Sequence, residues 1–354
     1  MMKSSSMARA AVAVGVALAA ATVAQAQELE KLSILVPNER TAVQYQVFVA
    51  KDLGFYADEG LEVTFLPSAT TVPYVAFLQN GDADVIMLDA PETLQAANAA
   101  VPISVIYEVN QIAPEGIVVP AESDIQDLAG LRGKTIGLAS DRDLATTTIA
   151  FQKAGLSIDE ATTVVVGDAG PTIVSSFRNE QIQAFAGGTS DRFAMEAAGI
   201  PFRDITPAAA QQNPANSFIV RADRKEELRD RVQRFLRAWS KAQQAGMEDF
   251  DAIAAICKVN VPEQWEKPEV GRKLLDFSVY KLNVPRTRLR GELRPFVWAA
   301  VQPPMAQLGV IEKEIDPSSF LDSTFIAAAH DYENIEVKNA VDKWREANRE
   351  LLAP

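Results

Sequence analysis

The fold is decided by residues 32–66, which read LSILVPNERTAVQYQVFVAKDLGFYADEGLEVTFL. The apolar run at its start predicts a β-strand that is stopped by Pro37. Residues 41–52 begin with a T-x-x-Q capping-box pattern, carry apolar side chains at helical spacing and are followed by Gly54, which favours the end of a helix. The alternating run 61–66 predicts a second strand. This strand–helix–strand order indicates an α/β fold with a mainly parallel sheet.

The alternation of short strands and helices continues beyond this unit and restarts near residue 117. The helix-to-strand turns within 77–86 and 177–185 resemble each other, which together with the restart favours two similar α/β lobes. From residue 224 onward, apolar residues at i, i+3, i+4 and i+7 predict a mostly helical final third. The further predicted strands are 85–88, 103–107, 117–119, 133–138, 163–166, 182–186 and 218–220, and the further predicted helices are 73–79, 91–99, 144–154 and 172–177.

The composition excludes several classes of protein. Of the 354 residues, 48% are apolar and 23% are charged, as in a globular chain with a large core, and the length predicts about two domains. The formal charge of −13 argues against nucleic-acid binding, which depends on clustered Lys and Arg. A single Cys and a single His exclude an internal disulfide, a cysteine-rich zinc site and a two-His metal site. Cys257 lies in an apolar helical stretch and is predicted to be a core residue, and we expect no cofactor.

Residues 1–26 have the pattern of an export signal. A basic start with Lys3 and Arg9 precedes a small apolar run over 10–23, and Ala24-Gln25-Ala26 supplies the small–x–small pattern of a signal-peptidase site. The apolar run is shorter than the about 20 residues that a permanent membrane anchor needs. We therefore expect cleavage after Ala26 and export of the mature chain into a bacterial periplasm.

Three stretches resemble the motifs of one protein family. Residues 49–63, VAKDLGFYADEGLEV, contain the pattern A-x-x-x-G-F/Y-x-x-x-E-G-L-x-V. Residues 80–85, NGDADV, are similar to the family's G-x-x-D entry into a third strand, and residues 128–137, LAGLRGKTIG, to its D-L-x-G-K-x-I/V-G passage. Over roughly residues 32–238 the chain resembles the periplasmic substrate-binding proteins of ABC importers for sulfonates, nitrate, taurine and thiamine-pyrimidine precursors.

The resemblance implies a fold and a role. The family has a type II periplasmic-binding-protein fold, in which two α/β lobes are joined by a two-segment hinge and close on a ligand. Here it implies that 27–116 and 222–354 form lobe one with the C-terminal helices, that 117–221 form lobe two, and that the hinge lies near Ile117 and Phe218. The implied partners are a small-molecule ligand and the membrane permease of an ABC transporter, and we expect a monomer that binds no nucleic acid.

The candidate site follows from the rule that ligands of such sheets lie beyond the carboxyl ends of strands, where helix N-termini present free N–H groups. In this sequence the rule selects the strand-to-helix loops of both lobes. Hydroxyls, amides and charges there would orient the ligand, and Tyr107 would form an apolar wall. The candidate ligand-binding residues are Asn38, Arg40, Thr41, Asp89, Ala90, Glu92, Tyr107, Asn110, Ser140, Arg142, Gly188, Thr189 and Asp191.

The class of ligand stays open at this point. Arg40, Arg142 and Arg192 could grip a carboxylate or sulfonate in a forked geometry, which favours a small organic anion, although each could also be a solvated surface residue. The V-P-N motif at the end of the first strand favours a thiamine-type pyrimidine precursor instead. Asp89 and Glu92 could cap a helix or receive a cationic group.

Two other roles are alternatives to import. A family relative synthesises a thiamine pyrimidine with an active-site His and a cysteine-rich iron-binding run. This chain has no such run and its only His, His330, lies far downstream, so we expect no enzymatic activity. A periplasmic sensor subunit would bind its ligand with the same chemistry as an importer subunit.

Overall fold

The computed structural model describes residues 28–37, 39–66 and 74–352. The predicted export signal and Asn38 lie outside these residues. The described residues form ten strands in two five-stranded sheets. In chain order the strands are β1 (Glu30–Leu35), β2 (Leu61–Leu66), β3 (Val85–Leu88), β4 (Ile103–Glu108), β5 (Gly116–Pro120), β6 (Thr135–Leu138), β7 (Thr162–Val165), β8 (Ala184–Gly187), β9 (Phe202–Asp204) and β10 (Ser217–Arg221).

The two sheets have the same topology. The first sheet has the order β2-β1-β3-β10-β4, in which β1 is parallel to β2 and β3 and β10 is antiparallel to β3 and β4. The second has the order β7-β6-β8-β5-β9, in which β6 is parallel to β7 and β8 and β5 is antiparallel to β8 and β9. The predicted α/β class with two similar lobes is confirmed, and each sheet is mixed, with two parallel and two antiparallel strand pairs.

The chain crosses between the sheets twice, through 109–115 on the way out and through 205–216 on the way back. Strand β10 pairs with the first sheet, with Phe218 opposite Met87 of β3 and Tyr107 of β4. The predicted range 117–221 for lobe two therefore differs from the structure, because 217–221 complete the first sheet. An apolar run such as 218–220 predicts a buried strand but not the sheet to which it belongs.

The helices cover both sheets. They are α1 (Gln46–Asp52), α2 (Phe55–Asp58), α3 (Tyr74–Asn80), α4 (Ala90–Asn98), α5 (Asp143–Lys153), α6 (Gly170–Arg178), α7 (Thr189–Ala197), α8 (Ala208–Gln211), α9 (Lys225–Glu248), α10 (Phe250–Asn260), α11 (Pro268–Phe277), α12 (Pro295–Ala300), α13 (Gln302–Gln307), α14 (Ile326–Ala329) and α15 (Asn334–Ala347). Short 3-10 turns occur at Ala42–Gln44, Leu128–Leu131, Ile158–Glu160, Pro262–Trp265, Pro317–Ser319, Ser323–Phe325 and Arg349–Leu352, and a π-turn at Ser278–Leu282.

The first predicted helix is split in the structure. A 3-10 turn, Ala42–Gln44, precedes α1, and the predicted capping box is not formed. The hydroxyl of Thr41 accepts from Val43 N at 3.2 Å, whereas Gln44 Nε2 turns back to donate to Pro37 O at 2.7 Å. Gly54 ends this segment as predicted, since its φ of 83° is a left-handed conformation that a glycine adopts without steric cost.

The largest core lies between the first sheet and the C-terminal helices. Trp239 of α9 is fully buried and packs edge-on against Phe218 of β10, with ring centroids 5.0 Å apart. Burying a large apolar side chain contributes about 1.5–3 kcal/mol. Cys257 of α10 is also fully buried, and burial raises the pKa of its thiol well above the usual value. The prediction of a core cysteine is confirmed.

Within the described residues, no helix is long and apolar enough to cross a membrane.

Candidate ligand-binding cleft between the lobes

The cleft is bounded by loops at the carboxyl ends of strands from both sheets. We call the first sheet with α1–α4 and α9–α15 the first lobe, and the second sheet with α5–α8 the second lobe. Thr41, after β1, places its hydroxyl oxygen 3.2 Å from that of Ser190, after β8. Arg142, after β6, donates from Nη1 to Glu92 Oε1 of α4 at 3.0 Å. The loops selected by the sequence therefore face each other across the two lobes.

A cavity of about 40 Å³ lies between the lobes and beside both crossings. This volume holds a few water molecules, whereas ligand pockets commonly measure about 300–1,000 Å³. A larger ligand can therefore enter only when the lobes move apart. The lining residues are Asp89, Ala90, Pro91, Ala113, Glu115, Gly116, Ile117, Thr146, Thr147, Ile149, Ala150, Ala186, Gly187, Thr206, Ala210, Asn213, Pro214, Ala215 and Met305.

Asp89 places a carboxyl group in this cavity from the start of α4. As the N-cap residue it accepts from Glu92 N through Oδ1 at 2.8 Å, and proline in the first helical turn fits this helix start. Burial, and then the nearby Glu92 carboxylate, raise the pKa of Asp89 to about 8. The Glu92 amide and the more distant Arg142 oppose the shift without cancelling it. At neutral pH this group is largely protonated.

Glu115 places a second carboxyl group in the cavity from the outgoing crossing. Burial raises its pKa to about 7, with a further contribution from Asp143, while its own amide and Arg192 lower it. Among the described residues, neither Asp89 nor Glu115 has an Arg, Lys or His side chain within ion-pair distance. The site rule missed Glu115 because it selects loops between a strand and a helix, whereas Glu115 precedes a strand. Glu115 could have been found from the sequence as the acidic residue of Ala-Pro-Glu-Gly, which lies where the alternation of strands and helices restarts.

The second lobe adds two more acidic side chains. Asp143 Oδ2 accepts from the amide and the hydroxyl of Ser140 at 2.8 and 2.7 Å. Asp191 Oδ2 accepts from Gly188 N at 2.9 Å, and burial raises the pKa of Asp191 to about 7. Burial also raises the pKa of Asp143. The cleft is thus rich in carboxyl groups that share few positive partners.

The three arginines that favour an anionic ligand already have protein partners. Arg40 pairs with Glu263 at 2.9 Å, and both side chains are about half exposed. Arg142 pairs with Glu92, as described above. Arg192 is buried, where its Nη1 donates to Asp204 Oδ2 at 2.8 Å and its Nη2 to Pro114 O at 2.6 Å.

Arg192 therefore joins the outgoing crossing to the second lobe. Each of the three arginines is thus paired within the protein, and their grip on an anion stays a prediction.

Three further candidates make contacts within the protein. The ring of Tyr107 is fully buried and its hydroxyl donates to Gln243 Oε1 at 2.8 Å, so Tyr107 packs in the core of the first lobe and does not line the cleft cavity. All six residues of β4 are buried, so its sequence does not separate a core-facing tyrosine from a cleft-facing one. Asn110 N donates to Asn216 O at 3.1 Å, which connects the two crossings. Thr189 Oγ1 donates to Pro114 O at 2.9 Å, beside Arg192.

Side chains that commonly bind metal ions are not clustered in the described part of the chain. Within it, no group of three or more His, Cys, Asp or Glu side chains is placed to hold a metal ion. His330 follows α14, with Nε2 2.8 Å from Arg290 O and Nδ1 3.3 Å from Ser240 Oγ. Burial lowers the pKa of His330, so its ring is neutral at pH 7.

Comparison with known proteins agrees with this architecture. The family model described as NMT1/THI5 like matches residues 42–252, which is more than half of the chain. The chain belongs to the NMT1/THI5-like family. This family member is 24% identical over 146 residues to a 4-amino-5-hydroxymethyl-2-methylpyrimidine phosphate synthase of Schizosaccharomyces pombe. The aligned region covers 41% of this chain and 42% of the synthase. The match thus spans less than half of the synthase's length.

Solved structures with a similar fold include sulfonate-binding proteins and an enzyme. The desulfurization enzyme DSZB has a TM-score of 0.55 at 13% identity, over 89% of this chain and 99% of that chain. The periplasmic aliphatic sulphonate binding protein SsuA of Escherichia coli has a TM-score of 0.64 at 15% identity, over 82% of this chain and 96% of that chain. The alkanesulfonate-binding protein SsuA of Xanthomonas axonopodis pv. citri, solved bound to MOPS, has a TM-score of 0.63 at 14% identity, over 84% and 99%. These similarities concern the fold alone. This NMT1/THI5-like protein has the periplasmic-binding-protein fold.

Proposed function

We propose that the protein is the solute-binding component of an ABC importer, that it works in the periplasm and that it captures a small molecule between its lobes without transforming it. The family, the two-lobe fold and the loops that face each other across the cleft support this role. A ligand that contacts both lobes stabilises the closed arrangement, and a membrane permease would recognise that arrangement.

The ligand, we further propose, carries N–H donors on a nitrogen heterocycle, as an aminopyrimidine does. The observation that carries this proposal is the pair of carboxyl groups, Asp89 and Glu115, which line the cavity without an ion-pair partner among the described residues. In the described part of the chain no cationic side chain neutralises either carboxyl group, so a ligand that supplies N–H donors would add charge-assisted hydrogen bonds that the protein does not provide. An anion would instead meet groups that become negative as they lose their protons.

The protonation of these groups fits an amino-substituted ring. A carboxyl group with a pKa near 7 is present at neutral pH both as the acid and as the carboxylate. The protonated carboxyl group can donate its O–H to a ring nitrogen while its carbonyl oxygen accepts an N–H from the neighbouring amino group. The carboxylate accepts two N–H donors from a protonated ring. The synthase relative, whose name contains an aminopyrimidine, supports the same class of ligand.

A ligand panel tests both proposals. The mature protein is heated with 4-amino-5-hydroxymethyl-2-methylpyrimidine, with alkanesulfonates, with carboxylates and with nitrate. A compound that binds the folded state raises the melting temperature by mass action. We expect stabilisation by the aminopyrimidine. Stabilisation by sulfonates or nitrate alone would overturn the proposed ligand class and leave the importer role intact.

The Glu115→Gln variant separates the two ligand classes by the sign of its effect. We expect an aminopyrimidine to bind more weakly by about 1.5–3 kcal/mol, since a hydrogen bond to a charged group is lost. An anionic ligand would bind more tightly, since a like charge is removed. Glu122→Gln is the matched control because Glu122 is exposed and lies outside the cleft cavity. Calorimetric titration of the three proteins measures the difference.

A pyrimidine-synthesising enzyme is the second candidate function, favoured by the synthase relative. The protein is therefore incubated without added pyrimidine, and the mixture is analysed by mass spectrometry for newly formed aminopyrimidine phosphate. We expect none to form. A product formed in proportion to protein concentration would replace the importer proposal by an enzymatic one.

A further inference from the structure

A second cavity, of about 320 Å³, lies between α7 of the second lobe and the 3-10 turn Pro262–Trp265 with α11 of the first lobe. It shares no lining residue with the cleft cavity. Its walls are mainly apolar. The lining residues are Gly170, Pro171, Ser190, Phe193, Ala194, Ala197, Ala198, Glu263, Gln264, Glu266, Lys267, Val270, Gly271 and Leu274.

The walls of this cavity are held together at several points. Lys267 Nζ donates to Ala197 O at 2.5 Å, and Lys273 Nζ lies 2.5 Å from Glu196 Oε1. The rings of Phe193 and Phe277 lie 6.0 Å apart between centroids. Helices α7 and α11 are therefore packed against each other around the cavity. The cavity is therefore present while the two lobes are in contact, and it is not a gap left by lobes that have moved apart.

The polar groups at the edge of the cavity already have partners. Gln264 accepts from Ala42 N at 2.8 Å and donates to Thr41 Oγ1 at 3.1 Å. Glu263 pairs with Arg40, and Lys267 donates to the Ala197 carbonyl. The remaining charged lining residue, Glu266, is exposed to solvent. An occupant would thus gain little from charge and most from contact with Phe193, Val270 and Leu274.

We propose that this cavity is a second binding site, which takes an uncharged and largely apolar molecule of the size of an aromatic bicycle. The volume lies within the range of about 300–1,000 Å³ that is usual for small-molecule sites. An apolar cavity of about 150 Å³ in another protein already binds benzene. An occupant supplies van der Waals contacts to the wall atoms, which have no partner atoms on that side when the cavity is empty.

The probe for this site is 5-fluoroindole, followed by fluorine NMR. The parent protein should broaden and shift the probe resonance in a saturable way. In Ala197→Phe the new ring occupies the cavity and the saturable binding should be lost. Ala347→Phe is the matched control, because Ala347 is exposed at the end of α15, and it should bind as the parent does. Equal binding by Ala197→Phe and the parent would overturn the proposal, as would the absence of saturable binding by the parent.

A second measurement needs no variant and separates the two cavities. In methyl-labelled protein, the probe should shift the resonances of Val270 and Leu274, which line the second cavity. It should leave Ile149 and Met305, which line the cleft cavity, unchanged. Shifts confined to Ile149 and Met305 would assign the probe to the cleft and contradict the proposed second site. Either result leaves the test of the importer role unaffected, since that test uses another ligand panel.

Discussion

Two carboxyl groups in the cleft, those of Asp89 and Glu115, keep their protons in the folded protein at a pH at which the unfolded chain has lost them. Their usual pKa values are 3.8 and 4.5, and burial raises them to about 8 and 7. Between these limits the folded state binds more protons than the unfolded state, so the free energy of unfolding falls as pH rises. Below the usual pKa values both carboxyl groups are protonated in the folded and in the unfolded state, so they no longer make the free energy of unfolding depend on pH.

This linkage predicts the behaviour of Glu115→Gln. The variant has no proton to lose at this site, so between pH 4.5 and about 7 it should lose less stability with rising pH than the parent. Urea unfolding at a series of pH values measures the difference. Glu122→Gln, at an exposed position, should follow the parent. Parallel pH profiles for the parent and Glu115→Gln would contradict the raised pKa.

The buried hydroxyl of Tyr107 gives a second prediction for a single residue. Tyr107→Phe removes the donor to Gln243 Oε1 and leaves a buried amide oxygen without that partner. We expect a loss of about 1–3 kcal/mol in the free energy of unfolding. The affinity for the cleft ligand should not change, because the ring lies in the core. A large loss of affinity at unchanged stability would show that Tyr107 contacts the ligand.

The sequence could place the candidate loops but not the partners of their side chains. Arg192 meets Pro114, which is 78 residues away, and Arg40 meets Glu263, which is 223 residues away. Such pairings depend on how distant elements pack, and local spacing carries no information on them. A loop position therefore predicts that a side chain is near the cleft, whereas only packing decides whether its charge is free for a ligand.

At the scale of elements, the helix starts α4 and α5 meet across the cleft through Glu92 and Arg142. Their side chains are 30% and 68% exposed, and exposed ion pairs contribute about 0–1 kcal/mol. The pair links the lobes, so it should stabilise the closed arrangement slightly.

A double-mutant cycle tests this role of the ion pair. We expect Arg142→Ala and Glu92→Ala to weaken the cleft ligand by similar small amounts, and the double variant to be no weaker than either single one. Calorimetric titration provides the affinities. A loss of about 1.5–3 kcal/mol in Arg142→Ala alone, with an anionic ligand, would show that Arg142 grips the ligand instead.

The pattern of the sequence predicted the type of most elements more reliably than their pairing. Runs such as 61–66 and 85–88 are strands at the predicted positions, because burial on the faces of a sheet demands apolar or alternating side chains. The segment 41–52 breaks into a 3-10 turn and α1, since Gln44 bonds back to Pro37 and does not take part in a capping box. The side chain of Gln44 can form either the capping-box bond or the bond to Pro37, and the spacing of apolar residues does not show which one forms.

At the scale of the whole molecule, the repeated topology explains how one chain builds a cleft. Each sheet has three parallel strands side by side, with their carboxyl ends facing the other lobe, and an antiparallel strand beside the crossings. Because the same arrangement occurs twice, the loops meet in two reciprocal contacts. Thr41 after β1 meets Ser190 after β8, and Arg142 after β6 meets Glu92 after β3. The restart near residue 117 predicted this duplication, whereas the assignment of β10 to the first sheet required the structure.

The return of β10 to the first sheet has a consequence for the order of folding. Strands β5–β9 come from one continuous segment, whereas the first sheet has β10 between β3 and β4 and is incomplete until the chain has passed through the second lobe. Contacts between residues close in sequence form faster than those that close long loops. During refolding, pulsed hydrogen exchange should therefore protect the amides of β6 and β8 before those of β10. Simultaneous protection would show that the two lobes acquire their structure as one cooperative unit.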